Sequence, residues 1–480
     1  MHYELRIMNY KAAFHTLGCK VNSYETQAIK EQFFALGFEE AAFDEAADVY
    51  VVNTCSVTQV AERKSRQMIR RARKLAPGAV IAATGCYAQE DAKKLIDDGA
   101  VDIVVGNNEK SRLAEIVLKR FGKTTGSAVN PDKAAGDETF DDCEGGCFEC
   151  PGERSDGSVY VTDLMHCSNY EEQKITAAGD HVRAYIKIQD GCNRFCSYCI
   201  IPYLRGRSRS RKAADIISEA KSLAANGYKE IIITGIDISD FEEEGCKKGD
   251  ESILYLLQEI SKTDGIERIR LGSLECAVIT ENFMEGISRI PQFCPHFHLS
   301  LQSGAGSVLK RMNRKYTPDE YYEKVKLIRD YFPEAAVCTD IIAGFPGETE
   351  EEFEETCAFV CKVGFSRTHV FKYSKRKGTK AADMPGQIDG NIKSLRSEKL
   401  IGITDKLQHE YEEKLIGRPQ PVLFEEKTEE GLQVGYTPEY VKIAVKSEED
   451  LVNRIMSVVP EGFIKAKDGP MLEAEVCETV

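Results

Sequence analysis

The stretch Ala184-Tyr-Ile-Lys-Ile-Gln-Asp-Gly-Cys-Asn-Arg-Phe-Cys-Ser-Tyr-Cys-Ile-Ile-Pro202 decides the fold of the central part of the chain. It begins with a β-rich run, and three cysteines follow at C-x3-C-x2-C spacing, namely Cys192, Cys196 and Cys199. The helix-compatible residues 212–226 come next. The cysteines are therefore predicted on a loop at the C-terminal end of a strand, where α/β folds place their active sites.

Three thiolates at this spacing can hold three irons of a four-iron, four-sulfur cluster and leave the fourth iron without a protein ligand. A three-ligand zinc site completed elsewhere and three unrelated buried thiols are the alternatives. The flanking strand and helix favour the cluster. A molecule that chelates the open iron through an amino and a carboxylate group would lie at the end of the strand.

Six β-rich runs separated by helical stretches lie between residues 181 and 385, which predicts an incomplete (β/α) barrel that is open on one side. The predicted strands are residues 184–189, 230–234, 268–272, 297–301, 337–342 and 369–373. Four strand ends offer residues that a shared ligand could contact: Gly235, Glu275, Gln302 and Asp340. For each of these segments alone, an ordinary turn is the alternative.

Residues 10–122 alternate apolar β-branched runs with amphipathic helices, which predicts a doubly wound parallel sheet. The predicted strands are residues 12–17, 49–53, 79–84 and 103–106, and the helices are residues 23–36, 61–75 and 89–97. Three strands end in a cysteine: Cys19, Cys55 and Cys86. Because parallel strands share one C-terminal edge, these thiols should converge on a second cluster site. Isolated buried cysteines are the alternative.

Residues 123–180 break this alternation, since they are rich in Gly, Asp, Ser and Thr and have few apolar residues. They are predicted to be an inserted linker. The C-x3-C-x2-C spacing recurs here at Cys143, Cys147 and Cys150, with Cys167 further on. No strand precedes this triplet. A small zinc site with Cys167 or His166 as fourth ligand, an auxiliary cluster and a metal-free linker all stay open.

A helical connector of residues 391–415 leads into a last segment, residues 416–480. Its short β-like runs, residues 421–424, 440–445 and 471–476, predict a small β-barrel similar in size to an oligonucleotide-binding module. Residues 418–480 contain 7 Lys and Arg residues against 13 Asp and Glu residues. Phosphate binding usually requires the opposite balance.

The bulk composition is that of a globular chain of about three domains, with 480 residues, 42% of them hydrophobic and 29% charged. No signal pattern and no long apolar run is present, so we expect a cytoplasmic protein without membrane contact, whose 17 cysteines rarely form disulfides. The net charge of −15 argues against general nucleic-acid binding. Local basic runs at residues 63–74 and 205–212 could still grip phosphates. In the second run the candidates are Arg205, Arg207, Arg209 and Arg211.

Outside residues 123–180, the chain resembles the radical S-adenosylmethionine methylthiotransferase family. The resemblance rests on Thr16-Leu-Gly-Cys-Lys-Val-Asn-Ser-Tyr-Glu-Thr26, on Cys55-Ser-Val-Thr58 with Lys64-Ser-Arg-Gln67, and on Gln189 to Pro202. These motifs are most similar to the branch that acts on N6-threonylcarbamoyladenosine in tRNA, beside the anticodon. The final segment resembles the TRAM module.

The resemblance implies that Cys192, Cys196 and Cys199 hold the cluster that binds S-adenosylmethionine and cleaves it reductively. The resulting radical would remove hydrogen from C2 of the adenine ring. It further implies that Cys19, Cys55 and Cys86 hold a second four-iron cluster, which carries the sulfur that a second S-adenosylmethionine methylates. Candidate contacts to S-adenosylmethionine are Tyr198, Gly235, Glu275, Gln302 and Asp340.

The implied partners are a tRNA anticodon stem-loop, a reducing electron donor and a sulfur source, with an additional zinc or iron as an open question for the insertion. Methylthiolation of isopentenyladenosine in tRNA or of a ribosomal protein is the alternative within this family. A non-catalytic, metal-stapled RNA-binding or redox-sensing protein is the alternative from a different class.

Overall fold

The computed structural model describes residues 10–125, 158–179, 182–466 and 469–476. Packing divides the chain into two compact units. The first comprises residues 1–175 together with residues 191–193 and 199–209, and the second comprises residues 176–190, 194–198 and 210–480. Among the described residues, no helix combines the length and the apolar character that crossing a membrane requires.

The first unit is built on a six-stranded parallel sheet, with its strands in the order β2 (Glu39–Ala41), β1 (Lys11–Thr16), β3 (Val49–Thr54), β4 (Val80–Gly85), β5 (Ile103–Val105) and β6 (Val159–Tyr160). Its central strand β3 is buried along its whole length, as expected for a strand with helices on both faces. Val49 and Val51 pack in one core cluster together with Ile29 of helix α1. Tyr50 and Val52 pack in the other core cluster, on the α2 side of the sheet. The predicted doubly wound sheet is confirmed.

The elements of the first unit's N-terminal part alternate strictly between strand and helix, apart from two short additions. They are β1 (Lys11–Thr16), α1 (Lys20–Ala35), β2 (Glu39–Ala41), β3 (Val49–Thr54), α2 (Gln59–Leu75), β4 (Val80–Gly85), α3 (Cys86–Glu90), α4 (Ala92–Asp97), β5 (Ile103–Val105), α5 (Leu113–Thr125) and β6 (Val159–Tyr160).

The sixth strand comes from residues that the sequence analysis assigns to the insertion. Val159 and Tyr160 pair with Val104 and Val105 in parallel register. The segment that follows also packs on this unit, because Tyr24 Oη donates a hydrogen bond to the carbonyl oxygen of Gln173 at 2.7 Å. The end of the predicted linker is thus part of the first unit's fold.

The second unit contains two four-stranded sheets. The first has the order β10 (Arg268–Leu271), β9 (Glu230–Gly235), β7 (Arg183–Asp190) and β8 (Arg209–Ser210), and the second has the order β11 (Ser273–Leu274), β12 (His296–Leu299), β13 (Ala336–Ala343) and β14 (Arg367–Lys372). Strands β10 and β11 are separated by Gly272 alone, so the chain passes from one sheet to the other at this residue. The six predicted strand positions all carry a strand, and their pairs are parallel. The predicted run of six β/α units is confirmed.

The elements of this region follow one another as strand and helix. They are β7 (Arg183–Asp190), α6 (Ile201–Arg205), β8 (Arg209–Ser210), α7 (Ala213–Ala225), β9 (Glu230–Gly235), α8 (Asp250–Ile260), β10 (Arg268–Leu271), β11 (Ser273–Leu274), α9 (Glu281–Ser288), β12 (His296–Leu299), α10 (Gly306–Arg311), α11 (Pro318–Tyr331), β13 (Ala336–Ala343), α12 (Glu350–Val363) and β14 (Arg367–Lys372).

Helix α12 shows how local sequence sets an element's limits. Thr349 and Glu352 form a capping box, in which each side chain binds the backbone amide of the other residue. Gly364, in the left-handed conformation, ends the helix. The same capping box begins α11.

The last part of the chain forms a closed five-stranded barrel in the order β15-β16-β17-β19-β18. Its core contains Val422, Phe424, Ile443, Val458 and Leu472. The predicted small β-barrel is confirmed, and the TRAM resemblance stays a prediction. Its elements and the preceding helix are α13 (Gly390–Glu413), β15 (Gln420–Lys427), β16 (Leu432–Tyr436), β17 (Lys442–Lys446), β18 (Ile455–Ala466) and β19 (Gly469–Val476).

Buried arginines join this small barrel to the first sheet of the second unit. Arg270 donates to the carbonyl oxygens of Pro438 at 2.6 Å and Thr437 at 3.3 Å, and it lies 4.9 Å from the ring of Tyr440. Glu230 accepts from Arg270 Nε at 2.8 Å and neutralises the guanidinium. The C-terminal barrel is therefore held by buried ionic and stacking contacts.

Candidate cluster sites

Three cysteines of the first unit follow three neighbouring parallel strands. Cys19 stands between β1 and α1, Cys55 directly follows β3, and Cys86 is the first residue of α3 after β4. The strand order reverses between β1 and β3, and such a topological switch point is where open α/β sheets bind ligands. The cysteines are therefore placed where this fold builds its sites.

Side-chain amides and hydroxyls tie these strand ends together. Asn22 Nδ2 donates to the carbonyl oxygens of Leu17 at 2.7 Å and Thr54 at 3.1 Å. Asn53 Nδ2 donates in return to the carbonyl oxygen of Asn22 at 3.0 Å. The hydroxyl of Thr54 donates to the carbonyl oxygen of Thr84 at 2.5 Å. Each of these residues lies within three positions of a cysteine, so the network fixes the segments that carry the thiols.

Two glycines permit the close approach of these segments. Gly18 has a φ of +107°, and a Cβ atom there would lie 2.9 Å from Cys55 Sγ. Gly85 has a φ of +92°, and a Cβ atom there would lie 2.3 Å from the carbonyl oxygen of Thr54. A side chain at either position would be strained and would force two cysteine-bearing segments apart.

The chemistry of the three thiols fits an iron–sulfur cluster. Burial raises the pKa of Cys55 to about 11, with a smaller contribution from the neighbouring Cys86 and Cys19. Burial also raises the pKa of Cys19, although this residue keeps access to solvent. Thiols with a raised pKa become thiolates readily only when a metal compensates the charge. Together with Cys86, these sulfurs suit a four-iron cluster with one iron free of protein ligands.

Arg205 is fully buried beside these thiols. Its Nη1 and Nη2 atoms donate to the carboxylate of Glu25 at 2.8 and 3.0 Å, and Nη2 also donates to Asn22 Oδ1 at 2.9 Å. Its Nε donates to Cys86 Sγ at 3.5 Å. Lys110 forms a second buried ion pair with Glu25. Arg205 and Lys110 thus share the carboxylate of Glu25, and the guanidinium of Arg205 also reaches the cysteine sulfur.

Two of the three cysteines of the 192–199 loop belong to the first unit. The amide of Cys192 donates to the carbonyl oxygen of Gly206 at 3.1 Å. Just after the third cysteine, Ile200 and Leu204 pack with Cys86 in one buried cluster. The end of this loop is thus anchored on the residue that follows β4.

The middle cysteine of the loop, Cys196, belongs to the second unit. Its neighbour Ser197 donates from its amide to the carbonyl oxygen of Met312 at 3.0 Å and from its hydroxyl to that of Arg311 at 2.9 Å. The C-terminal end of α10 therefore holds this part of the loop.

Arg314 contacts the sulfur of Cys196. Its Nη1 donates to Cys196 Sγ at 3.4 Å, and its Nη2 donates to the two carboxylate oxygens of Glu275 at 2.7 and 2.6 Å. The sequence predicts a ligand contact for Glu275. In the structure both of its oxygens accept from Arg314, which follows α10, and the ligand contact stays a prediction. The carboxylate holds the arginine.

Three other predicted ligand contacts belong to the second unit. Gly235 is the last residue of β9, and Tyr198 is half-buried against a core cluster that contains Phe345. Gln302 has a φ of +72°, a strained conformation for a residue other than glycine. Its backbone amide donates to the carbonyl oxygen of Asp340 at 2.9 Å. Backbone strain of this kind concentrates at functional sites.

Asp340 lies beside two histidines that the sequence patterns did not indicate. His298, Asp340 and His369 are on the adjacent strands β12, β13 and β14, and their side-chain ligand atoms lie within 4.8 Å of one another. His298 Nε2 is 3.2 Å from Asp340 Oδ2. The strand registers place His298 opposite Cys338, two residues before Asp340, so all three face the same side. Two imidazoles and a carboxylate provide both donors and acceptors for a polar ligand.

The basic run at residues 205–212 does not form the predicted phosphate-binding surface. Arg205, Arg209 and Arg211 are buried, with exposures of 0%, 5% and 1%, and Arg211 pairs with Glu219. Arginines that are buried and paired cannot reach a phosphate. Within this run, Arg207 is the arginine that remains exposed.

The other basic run forms helix α2. Its buried residues Ser65, Ile69 and Ala72 face the sheet. The opposite face is exposed and cationic, and its residues include Arg63, Lys64, Arg71 and Lys74. This face has the charge that a polyanion requires.

The second C-x3-C-x2-C triplet, Cys143, Cys147 and Cys150, lies outside the described residues. Its predicted partner Cys167 is half-buried in a turn, where its amide donates to the carbonyl oxygen of Leu164 at 3.2 Å. A metal at these four cysteines stays a prediction.

Two family models match the chain. The model of the radical SAM superfamily matches residues 186–360, and the model described as uncharacterized protein family UPF0004 matches residues 11–106. The first match covers β7 to α12, and the second covers the parallel strands β1 to β5.

Relatives are similar to the chain over most of its length. The threonylcarbamoyladenosine tRNA methylthiotransferase MtaB of Bacillus subtilis is 40% identical over 451 residues, which are 93% of this chain and 92% of the relative. The protein of the same name from Thermotoga maritima is 33% identical, with 96% and 98% covered. A tRNA-2-methylthio-N(6)-dimethylallyladenosine synthase from Thermoanaerobacter pseudethanolicus is 33% identical, with 85% and 81% covered.

A solved structure shares the fold. The radical S-adenosylmethionine methyltransferase TsrM from Kitasatospora setae aligns with a TM-score of 0.53 at 15% identity, over 78% of this chain and 77% of that one. A likeness at this identity supports the architecture of the two units.

Proposed function

Since the chain belongs to the radical S-adenosylmethionine methylthiotransferases, we propose that it adds a methylthio group to C2 of N6-threonylcarbamoyladenosine beside the anticodon of tRNA. The observation that carries this is the 40% identity to the Bacillus subtilis enzyme over nearly the whole length of both chains. Dimethylallyladenosine in tRNA is the second candidate substrate, because enzymes named for it are 33% identical over 85% of the chain.

Two four-iron clusters and S-adenosylmethionine serve this reaction. When bound, these groups supply the radical that removes the hydrogen at C2, the inserted sulfur and its methyl group. The chain's residues supply two sets of sulfur ligands. The first set is Cys19, Cys55 and Cys86, and the second is Cys192, Cys196 and Cys199.

The protein's own part is to hold these sulfurs in place and to keep the sites dry. The hydrogen bonds of Asn22, Asn53 and Thr54 fix the segments around the first set. Burial of Cys55 and Cys86 limits the access of water and oxygen. Such prior ordering lowers the cost of bringing a cluster and a base together.

In the second unit, the polar residues at the strand ends are proposed to orient S-adenosylmethionine. Gln302 offers its side-chain amide, and Gly235 lets a ligand approach the backbone closely. Asp340, with His298 beside it at 3.2 Å, offers a carboxylate to an ammonium or hydroxyl group. Tyr198 contributes an aromatic edge from the cysteine loop.

The exposed face of α2 is proposed to contact the phosphates of the anticodon stem-loop, together with Arg207. Its cationic residues Arg63, Lys64, Arg71 and Lys74 are exposed on one side of a single helix. Phosphate contacts of this kind position the RNA, whereas the modified base itself supplies the specificity. The reaction also consumes electrons and sulfur, so we propose a reducing partner and a sulfur source in the cytoplasm.

Mass spectrometry of tRNA nucleosides tests the proposed function. Cells that lack the gene should lose the methylthio group of threonylcarbamoyladenosine, and the gene for the full chain should restore it. A loss confined to the dimethylallyl nucleoside would favour the second candidate. Unchanged nucleosides would contradict both, and would leave a ribosomal-protein substrate or a non-catalytic role.

Two cysteine variants test the division of labour between the ligand sets. Cys192→Ala should abolish the reductive cleavage of S-adenosylmethionine, measured as deoxyadenosine. Cys55→Ala should retain this cleavage but form no methylthio product. Cleavage that persists in Cys192→Ala would rule out the radical assignment.

A further inference from the structure

In both units, a buried arginine donates to the sulfur of a predicted cluster ligand, and a glutamate holds that arginine. In the first unit the donor is Arg205, whose Nε lies 3.5 Å from Cys86 Sγ. Glu25 binds the other two nitrogens of the guanidinium, and the side chains of both residues are completely buried. The positive end of this ion pair therefore points at the sulfur.

The second unit repeats the arrangement with residues from other parts of the chain. Nη1 of Arg314 lies 3.4 Å from Cys196 Sγ, and Nη2 binds both oxygens of Glu275. The side chain of Arg314 is 5% exposed and that of Glu275 is 14% exposed. Because this arrangement occurs twice with unrelated residues, we expect it to have the same effect on both sulfurs.

A positive charge and a hydrogen bond at a cluster sulfur act on the reduction potential. Reduction adds one negative charge to the cluster, and a nearby cation stabilises the reduced form more than the oxidised one. Hydrogen bonds to the sulfurs are among the features that set cluster potentials. Burial strengthens both effects because the local dielectric constant is low.

We propose that Arg205 and Arg314 are positioning residues that raise the reduction potentials of the clusters bound by Cys86 and Cys196. This inference rests on the proposed function, since it takes the two clusters as given. Lys110 also pairs with Glu25, so two buried cations share this carboxylate. Arg314 pairs with Glu275, and its charge and its hydrogen bond act on the sulfur of Cys196.

The test measures the potential of one cluster at a time in the full-length protein. Replacing Cys192, Cys196 and Cys199 with Ala leaves the first cluster alone. Its midpoint potential is then followed by electron paramagnetic resonance during titration with dithionite. Arg205→Gln should shift the potential to a more negative value, and Glu25→Gln should shift it to a more positive value. A general loosening of the fold would not give opposite signs.

Arg211 and Glu219 provide the matched control. They form another completely buried arginine–glutamate pair, with its arginine in the same basic run as Arg205. Arg211→Gln and Glu219→Gln should leave the potential of the first cluster unchanged. Arg205→Lys keeps the positive charge but loses the guanidinium's several donors. Its midpoint potential should lie between those of the wild type and Arg205→Gln.

The second cluster is tested in a protein in which Cys19, Cys55 and Cys86 are replaced with Ala. Arg314→Gln should lower its potential and Glu275→Gln should raise it. Arg311→Gln is the control, because Arg311 pairs with Glu352 instead.

The inference would be overturned if the glutamine variants still contained their clusters and had the same potentials as the wild type. Shifts of the same sign in the arginine and glutamate variants would also overturn it. If Arg205→Gln fails to take up iron, the sign of the shift in Glu25→Gln decides by itself. A wild-type protein without about eight irons after anaerobic reconstitution would overturn the proposed function and this inference together.

Discussion

Gly85 and Gly99 both have a positive φ angle, but their surroundings differ. Their φ angles are +92° and +69°. A Cβ at Gly85 would lie 2.3 Å from a carbonyl oxygen of the neighbouring strand, whereas a Cβ at Gly99 meets nothing within 4 Å. The comparison separates backbone strain from the close packing that the first thiol site needs.

Gly85→Ala should lower the free energy of unfolding by about 2–5 kcal/mol, because strain of about 1–2 kcal/mol and overpacking of about 1–3 kcal/mol add. Gly99→Ala should cost only the strain. Denaturant unfolding measures both. The iron content of Gly85→Ala after reconstitution should fall by about four irons, since Cys86 follows directly. Equal losses in the two variants would show that crowding at Gly85 is unimportant.

The strained residue Gln302 gives a second prediction at this scale. Gln302→Gly should raise the free energy of unfolding by about 1 kcal/mol, because glycine adopts a positive φ without strain. It should also weaken S-adenosylmethionine binding about two- to tenfold, the value of one hydrogen bond of ~0.5–1.5 kcal/mol. Equilibrium dialysis measures the affinity. Asn453→Gly, at a φ of +60° in the small barrel, is the control and should leave the affinity unchanged.

Single residues also show where sequence reasoning ends. The placement of the cysteines at the ends of strands could be predicted, because a recognisable strand precedes each group. The burial of Arg205 could not, since a run rich in arginine has the appearance of a solvated surface. Its partner Glu25 is 180 residues away in sequence. Only the tertiary fold brings the two together, and no local pattern indicates the pair.

Among the elements, helix α2 carries a cationic face whose outer residues are open to solvent. Arg66 and Arg73 pair with Glu62 and Asp102 at its edges. Arg71 and Lys74 are exposed on the outer side. A helix of this kind can bind successive phosphates of an RNA backbone.

Replacing Arg71 and Lys74 together with Ala should weaken the binding of the anticodon stem-loop at low salt. The slope of log K against log salt concentration should fall by about two, because each of the two removed cations neutralises one phosphate. Fluorescence anisotropy at several salt concentrations measures both quantities. Ala at the exposed Lys221 and Lys427, which lie on other elements, should change neither. An unchanged slope in the α2 variant would exclude this face.

Element prediction succeeded for long, regular runs and failed for short or interrupted ones. Strands β2 and β6 have three and two residues, too few for an alternating pattern. Strand β18 has twelve residues, but Pro460 and Gly462 interrupt it. The register shifts at these residues, as in a β-bulge, so the run does not have the appearance of one strand.

At the scale of the whole molecule, the C-terminal barrel could either brace the central sheets or bind RNA. Its contacts with the rest of the second unit indicate which role it has. Its acidic composition disfavours phosphates. Tyr440, an aromatic residue that could stack on a base, is already in contact with the guanidinium groups of Arg183 and Arg270 at 4.9 Å. Bracing the central sheets is the role that these contacts favour.

Arg270→Ala should therefore destabilise the protein by about 3–5 kcal/mol, because it leaves Glu230 buried without its main partner. Thermal unfolding and the salt slope of tRNA binding should be measured together, and the slope should not change. Arg418→Ala removes an exposed pair with Glu334 and should cost less than about 1 kcal/mol. A reduced salt slope in Arg270→Ala would point to direct RNA contact by the small barrel.

The placement of residues 199–209 in the first unit has a consequence for biosynthesis. The three cysteines of the first site are complete once Cys86 has left the ribosome, but Arg205 is synthesised 119 residues later. At ~5–20 residues per second, this interval lasts about 6 to 24 s. During that time Lys110 is the buried cation available to Glu25 among the described residues. Until the central part of the chain has emerged, the nascent N-terminal sheet therefore carries these three cysteines without the arginine that the completed fold places against Cys86 Sγ.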